Sequence, residues 1–273
     1  MRSVYIHIPF CSSICSYCDF CKFLHDEIWA DEYLSHLEKE INKYYDNDEV
    51  RTIYIGGGTP SVLSMENLKK LFSLIKDFDV SKIEEFTFEI NVNDITDEKL
   101  SCLTENGVNR ISVGVESFNK INLKYLNRKH TKQEIINNIK LVKKYFENIT
   151  VDLMYALSIE KFSVLKSDVK EILKLGVPHI SAYSLILEPN TALFVNKVKP
   201  INEDLDYKIY KYIEKKFTKK GYHHYEVSNY SIPGYESVHN LNYWDNNEYY
   251  GFGLGAHWFI RELRYENTRC FNN

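Results

Sequence analysis

The sequence predicts an α/β fold: an incomplete barrel of six strand–helix units, a partial (β/α)6 architecture. Three observations predict it. Short alternating or apolar runs exchange six times with amphipathic helical runs, the order of a parallel sheet. Crossovers between parallel strands are right-handed, so such a sheet curls, and six units fall short of the eight of a closed barrel. The segments NGVNRIS and LGVPHIS echo one another. Each puts a glycine after a helix, then Val, two residues, and a strand beginning Ile-Ser, and Gly107 and Gly176 suit left-handed helix C-caps.

The elements follow in order. VYIHI (residues 4–8) alternates as a strand, and residues 28–45 form an amphipathic helix after a cysteine-rich loop. RTIYI (51–55) is the second strand, stopped by GGGTPS, with a helix over 65–76. EEFTFEINV is the third strand, and TDEKLSCLTEN a helix with Thr96 as its N-cap. NRISVGV is the fourth strand. The helix over 132–146 places Ile135, Ile136, Ile139 and Val142 on one face. ITVDLMY is the fifth strand, with a helix over 162–175. HISAYSLI is the sixth, with a helix over 204–219. Residues 1–200 form the core barrel, and 201–273 an extension of strands and loops that closes one side of it. The cysteine loop, GGGTP, NVND, ESF and the segment after VDLM all fall at the C-terminal ends of strands, where barrels of this kind bind ligands.

The chain has 273 residues, 44% of them hydrophobic and 26% charged, which suits a soluble globular protein. Its formal charge of −4 gives no nucleic-acid surface, and the lysines lie on solvated helix faces. No apolar run is long enough to cross a bilayer and no signal peptide is visible, so a cytoplasmic location is expected. There a structural disulfide is disfavoured, and the six cysteines point to metal or redox chemistry.

Four of them, Cys11, Cys15, Cys18 and Cys21, lie within CSSICSYCDFC. A thioredoxin-like dithiol uses one C-x-x-C at a helix start; CSYC fits but leaves its neighbours surplus. A structural zinc site draws on two separated ligand pairs, and a second pair is missing. An iron–sulfur cluster takes closely spaced thiolates. The C-x3-C-x2-C spacing of Cys11, Cys15 and Cys18 supplies three and leaves one iron of a [4Fe–4S] cubane open. The cluster is therefore preferred, with zinc next. Cys102, on a helix, and Cys270, near the terminus, are expected to be packing or incidental thiols.

This cysteine spacing after a first strand, with a glycine-rich turn after the second, resembles the radical S-adenosylmethionine (SAM) superfamily. Within it YIHIPFC, GGGTPS, GVESFN, LNRKHT, VDLM and HNLNYW…GFGLGAH resemble the oxygen-independent coproporphyrinogen III oxidase family. The likeness runs from Val4 to about Thr268. It implies a radical SAM barrel, a [4Fe–4S] cluster, SAM at the open iron, and an electron donor such as a flavodoxin or ferredoxin. The backbone of Gly57, Gly58 and Thr59 then faces the methionine end of SAM. A side chain at Gly57 is expected to block it without unfolding the barrel. Tyr5, Tyr17, Glu89, Glu116, Arg128 and Asp152 match family positions near this cofactor.

The sequence departs from that family in several places. GVESF replaces the usual amide by Glu116, and DLMYALSIEK lacks the usual glycine and proline. Cys21 is displaced by one residue from the oxidases' fourth cysteine. The oxidases' N-terminal arm and the usual C-terminal helical domain are absent. CDF and HNLNYW instead resemble the heme chaperone branch, HemW. That likeness implies heme as a ligand for transfer to haemoproteins, His239 as its candidate contact, and Tyr243 and Trp244 as stacking partners. Without such a C-terminal domain the barrel mouth is expected to be open, which would favour a large planar ligand. Cys21, His7 and His257 are the next heme candidates, and a decarboxylating coproporphyrinogen III oxidase is the alternative.

Overall fold

The computed structural model describes residues 1–271. The six expected units are present. Strands β1 (Arg2–Ile8), β2 (Val50–Gly57), β3 (Glu85–Asn91), β4 (Arg110–Glu116), β5 (Asn148–Tyr155) and β6 (His179–Ser184) run parallel in that order. Between them lie helices α1 (Glu27–Tyr44), α2 (Met65–Ile75), α3 (Asp97–Glu105), α4 (Lys132–Val142) and α5 (Phe162–Leu175), and α6 (Glu203–Thr218) follows β6. Local chemistry sets their ends. Thr96 accepts a hydrogen bond from the Lys99 N–H, Thr131 and Glu134 form a capping box, and Gly176 ends α5 at φ 59°.

The extension differs from expectation. Strand β7 (Asn229–Ser231) pairs antiparallel with β6. Strand β8 (Tyr249–Phe252) pairs parallel with β1 and becomes a seventh parallel strand. Strands β9 (His257–Ile260) and β10 (Leu263–Glu266) continue outward from it. Residues beyond 200 thus widen the sheet at both edges rather than closing one side. HNLNYW is not a strand or loop but part of a short helix, α7 (Val238–Trp244), capped by Ser237. Among the described residues no helix is long and apolar enough to cross a membrane.

Side chains alternate in direction along a strand. Val4, Ile6 and Ile8 of β1, Ile53 and Ile55 of β2, and Val113 and Val115 of β4 are fully buried against the helices, each contributing about 2 kcal/mol of burial. The opposite face is polar. It carries Ser3, Tyr5 and His7; Thr52 and Tyr54; Glu85, Thr87 and Glu89; Arg110 and Ser112; Thr150 and Asp152; His179, Ser181 and Tyr183. Barrel interiors are usually packed with branched aliphatics, so a polar interior marks a chamber for a polar ligand.

Candidate functional site

At the C-terminal ends of the strands, the cysteine loop is tied to the barrel from two sides. The Thr59 hydroxyl donates to Cys11 Sγ at 3.7 Å. Arg128 donates from Nη1 to Cys15 Sγ at 3.5 Å, and from Nη2 to Asn91 Oδ1 at 2.9 Å and to the Gly114 carbonyl. A Cβ on Gly114 would stand 2.7 Å from Nη2, so the guanidinium would have to shift. Tyr17, inside the loop, donates to Glu116 Oε1 at 2.9 Å. Burial pushes the Cys11 thiol up to about 11, with Cys18 and Cys15 adding to the rise, and burial raises Cys18 as well. Thiols so placed ionise on binding a cation.

Cys21 faces elsewhere. Its Sγ points to the Arg269 carbonyl at 3.7 Å, and its own carbonyl accepts from His7 Nε2 at 2.7 Å. All six cysteines are free. Among the described residues no three His, Cys, Asp or Glu side chains are placed to hold a single metal ion, the arrangement zinc requires.

Three carboxyl groups line the chamber. Glu89 accepts from the Tyr54 hydroxyl at 2.6 Å and from the Gly57 N–H at 3.2 Å. It sits two residues before the end of β3. Burial raises its pKa, and Tyr54 and Gly57 oppose the rise. Burial also raises Glu116, against the opposing charge of Arg128. Burial also raises Asp152, with Glu116 and Glu89 adding and Ser181 and Tyr183 opposing. Glu116 Oε2 and Arg128 Nε are buried without a partner, and Glu116 adopts a left-handed φ of 66°. Unpaired buried groups and strain mark ligand sites. The donors, the orphaned atoms and the three thiols therefore fit a cluster with a zwitterionic cofactor beside it.

Gly57 and Gly58 have structural reasons of their own. A Cβ on Gly57, at φ 111°, would meet the His7 ring at 2.5 Å, and one on Gly58 would meet the Phe10 carbonyl at 2.8 Å. The expectation that a side chain at Gly57 spares the barrel is therefore corrected, because it would displace His7 first. Tyr5 donates to His7 Nδ1 at 2.9 Å, since burial keeps His7 neutral and its Nε2–H is committed to Cys21. Sequence reasoning missed Tyr54, Asn91 and Tyr183. Polar residues at every second position of buried parallel strands were the available signal.

His239 is not brought to this group. It lies at the opposite, N-terminal end of the strands, 1% exposed. Its Nδ1 meets Thr52 Oγ1 at 2.7 Å and its Nε2 meets the Tyr243 hydroxyl at 2.8 Å. Burial lowers its pKa to about 3, so the imidazole is neutral. Glu85 holds α7 over this end by accepting from the N–H groups of Val238 and His239 and from the Ser237 hydroxyl, as an anion does at a helix N-terminus. Direct ligation of iron by His239 requires Tyr243 to leave Nε2. His7 has both ring nitrogens engaged, and His257 is exposed on β9 beside Glu266.

The chain is similar to known proteins over nearly its whole length. The radical SAM superfamily model matches residues 5–175. A Lactococcus lactis protein named heme chaperone HemW is 46% identical, covering 97% of this chain and 72% of its own. The Bacillus subtilis protein of the same name is 40% identical, covering 98% and 73%. The solved structure of the Escherichia coli coproporphyrinogen III oxidase HemN, described as a radical SAM enzyme, superposes with a TM-score of 0.87 over 99% of this chain and 68% of that one. At 22% identity it shows a shared fold alone.

Proposed function

The chain belongs to the radical SAM superfamily and within it to the HemW family, and from that premise we propose that it is a heme chaperone, binding heme for delivery to haemoproteins. The observation that carries this reading is the 46% identity over 97% of the chain to a protein named heme chaperone HemW.

The superfamily's cofactors are a [4Fe–4S] cluster and SAM. Cys11, Cys15 and Cys18 would hold the cluster. When bound and reduced by a flavodoxin or ferredoxin, it supplies the electron that cleaves the SAM sulfonium. This chain's residues hold and orient. Thr59 and Arg128 fix two of the sulfurs. The backbone of Gly57, Gly58 and Thr59, with Tyr5, Tyr17, Glu89, Glu116, Arg128 and Asp152, lines the space beside them for SAM. Arg128 balances the Glu116 carboxyl, and hydrogen bonds from Ser181 and Tyr183 oppose the rise that burial gives the Asp152 pKa.

Heme is assigned to the other end of the barrel, with His239 as iron ligand and the half-exposed Tyr243 and Trp244 as its aromatic border. The test is transfer. The reconstituted chain, loaded with hemin, is mixed with an apo-haemoprotein and the Soret band is followed. Movement of heme to the acceptor faster than from free hemin supports the chaperone. Retention, or transfer no faster than without the chain, overturns it.

A further inference from the structure

The hydrogen bonds around His239 define which of its nitrogens is bare. The Thr52 hydroxyl donates its single proton to Ser3 Oγ at 2.7 Å. It can therefore only accept from His239, at Nδ1, 2.7 Å away. The ring proton is thus on Nδ1, and Nε2 carries the lone pair. Tyr243 donates its hydroxyl to that lone pair at 2.8 Å. An Nδ1–H anchored to an oxygen with Nε2 left as donor atom is the arrangement metal-binding histidines use.

Around the ring, Tyr54 packs on one side with centroids 5.1 Å apart, and Tyr243 stands edge-on at 5.0 Å. Tyr54 belongs to the interior. Tyr243 is 38% exposed and its neighbour Trp244 59%, while His239 is 1% exposed. Tyr243 therefore stands between Nε2 and solvent. Its ring also packs against Tyr249, centroids 4.6 Å apart, a contact that does not use the hydroxyl.

We propose that Tyr243 is a removable cap on the iron-binding nitrogen of His239, and that Thr52, backed by Ser3, is the positioning residue that keeps this nitrogen unprotonated. The inference rests on the reading of His239 as the heme ligand. In the free protein the cap satisfies the buried lone pair. On binding, the Tyr243 hydroxyl moves off, the ferric iron of hemin takes its place on Nε2, and no electron is transferred. Release of heme to an acceptor is the reverse step, with the tyrosine hydroxyl competing for the nitrogen.

The experiment is hemin titration and stopped-flow binding on the full chain, read by the Soret band, for Tyr243→Phe, Thr52→Val, Thr52→Ser and His239→Ala. Tyr243→Phe keeps the ring and its packing but removes the competing hydrogen bond, and is expected to tighten hemin binding about fivefold, with faster association. Thr52→Val is expected to weaken binding about tenfold and return the Soret band toward that of free hemin. Thr52→Ser restores both, which a purely structural role for the methyl-bearing side chain does not predict. If His239→Ala loses hemin while Tyr243→Phe leaves rate and affinity unchanged, the cap is wrong. If His239→Ala binds as the parent does, the ligand assignment itself fails. Should Thr52→Val not fold, Tyr243→Phe still decides the cap, unchanged rate and affinity counting against the proposal, and loss of hemin binding in Thr52→Ser would count against the anchor.

Discussion

Arg128 joins the cysteine loop to the barrel through Cys15, with Nη1 3.5 Å from Sγ and Nη2 held by Asn91 and the Gly114 carbonyl. One planar guanidinium meets three acceptors on three segments. Lysine cannot reproduce that fork.

Arg128→Met is expected to destabilise the chain by about 3 kcal/mol, because Glu116 loses the charge that offsets its burial. Arg128→Lys is expected to recover less than half of this. Denaturant unfolding measures both. Wild-type stability in either variant would mean that the loop is held without the arginine.

Reconstituted Cys11→Ala, Cys15→Ala and Cys18→Ala variants should each lose the brown iron–sulfur chromophore. Cys21→Ala should keep most of it, because Cys21 Sγ faces the Arg269 carbonyl. Iron and sulfide analysis checks this. Loss of iron from Cys21→Ala equal to the other three would make Cys21 a ligand.

Ala156 occupies a left-handed φ of 64° in the loop after β5. An L-residue there costs about 1 kcal/mol. Ala156→Gly should therefore stabilise the fold by up to about 1 kcal/mol, raising Tm by roughly 3 °C. An unchanged or lower Tm would show that the strain is relieved elsewhere.

Glu160 gives a pH signature. Burial raises its pKa to about 8, with Asp168 adding and Asn122 opposing, while Asn122 Nδ2 donates to Oε1 at 2.9 Å. The folded state thus binds this proton more tightly than the unfolded state. Its contribution is full below the ordinary glutamate range and is lost as pH rises toward 8. Glu160→Gln keeps an acceptor for Asn122 and removes the titration, so its Tm should fall less between pH 5 and pH 8 than that of the parent. Equal slopes would place the pH dependence elsewhere.

The elements most legible in the sequence were those with local signals. The six alternating units, the Thr96 and Gly176 caps and the cysteine spacing all follow from residues close in the chain. What was missed depends on distant partners. Strand β8 has four residues and joins β1 through pairing across more than two hundred residues. HNLNYW reads as aromatic loop, yet Ser237 and the distant Glu85 fix it as a helix. The polar chamber was half legible. Glu89, Glu116, Arg128 and Asp152 stood out through motif likeness, whereas Tyr54 and Tyr183 look like ordinary strand aromatics until the curl of the sheet turns them inward. His239 stood out through its motif, but its place at the far end of the strands did not.

The most direct measurement follows heme and porphyrinogen on one anaerobically reconstituted, SAM-replete sample under reducing conditions. The chaperone account predicts hemin binding with a Soret shift that depends on His239, and no conversion of coproporphyrinogen III. Robust formation of protoporphyrinogen IX would contradict it and make the chain an oxidase.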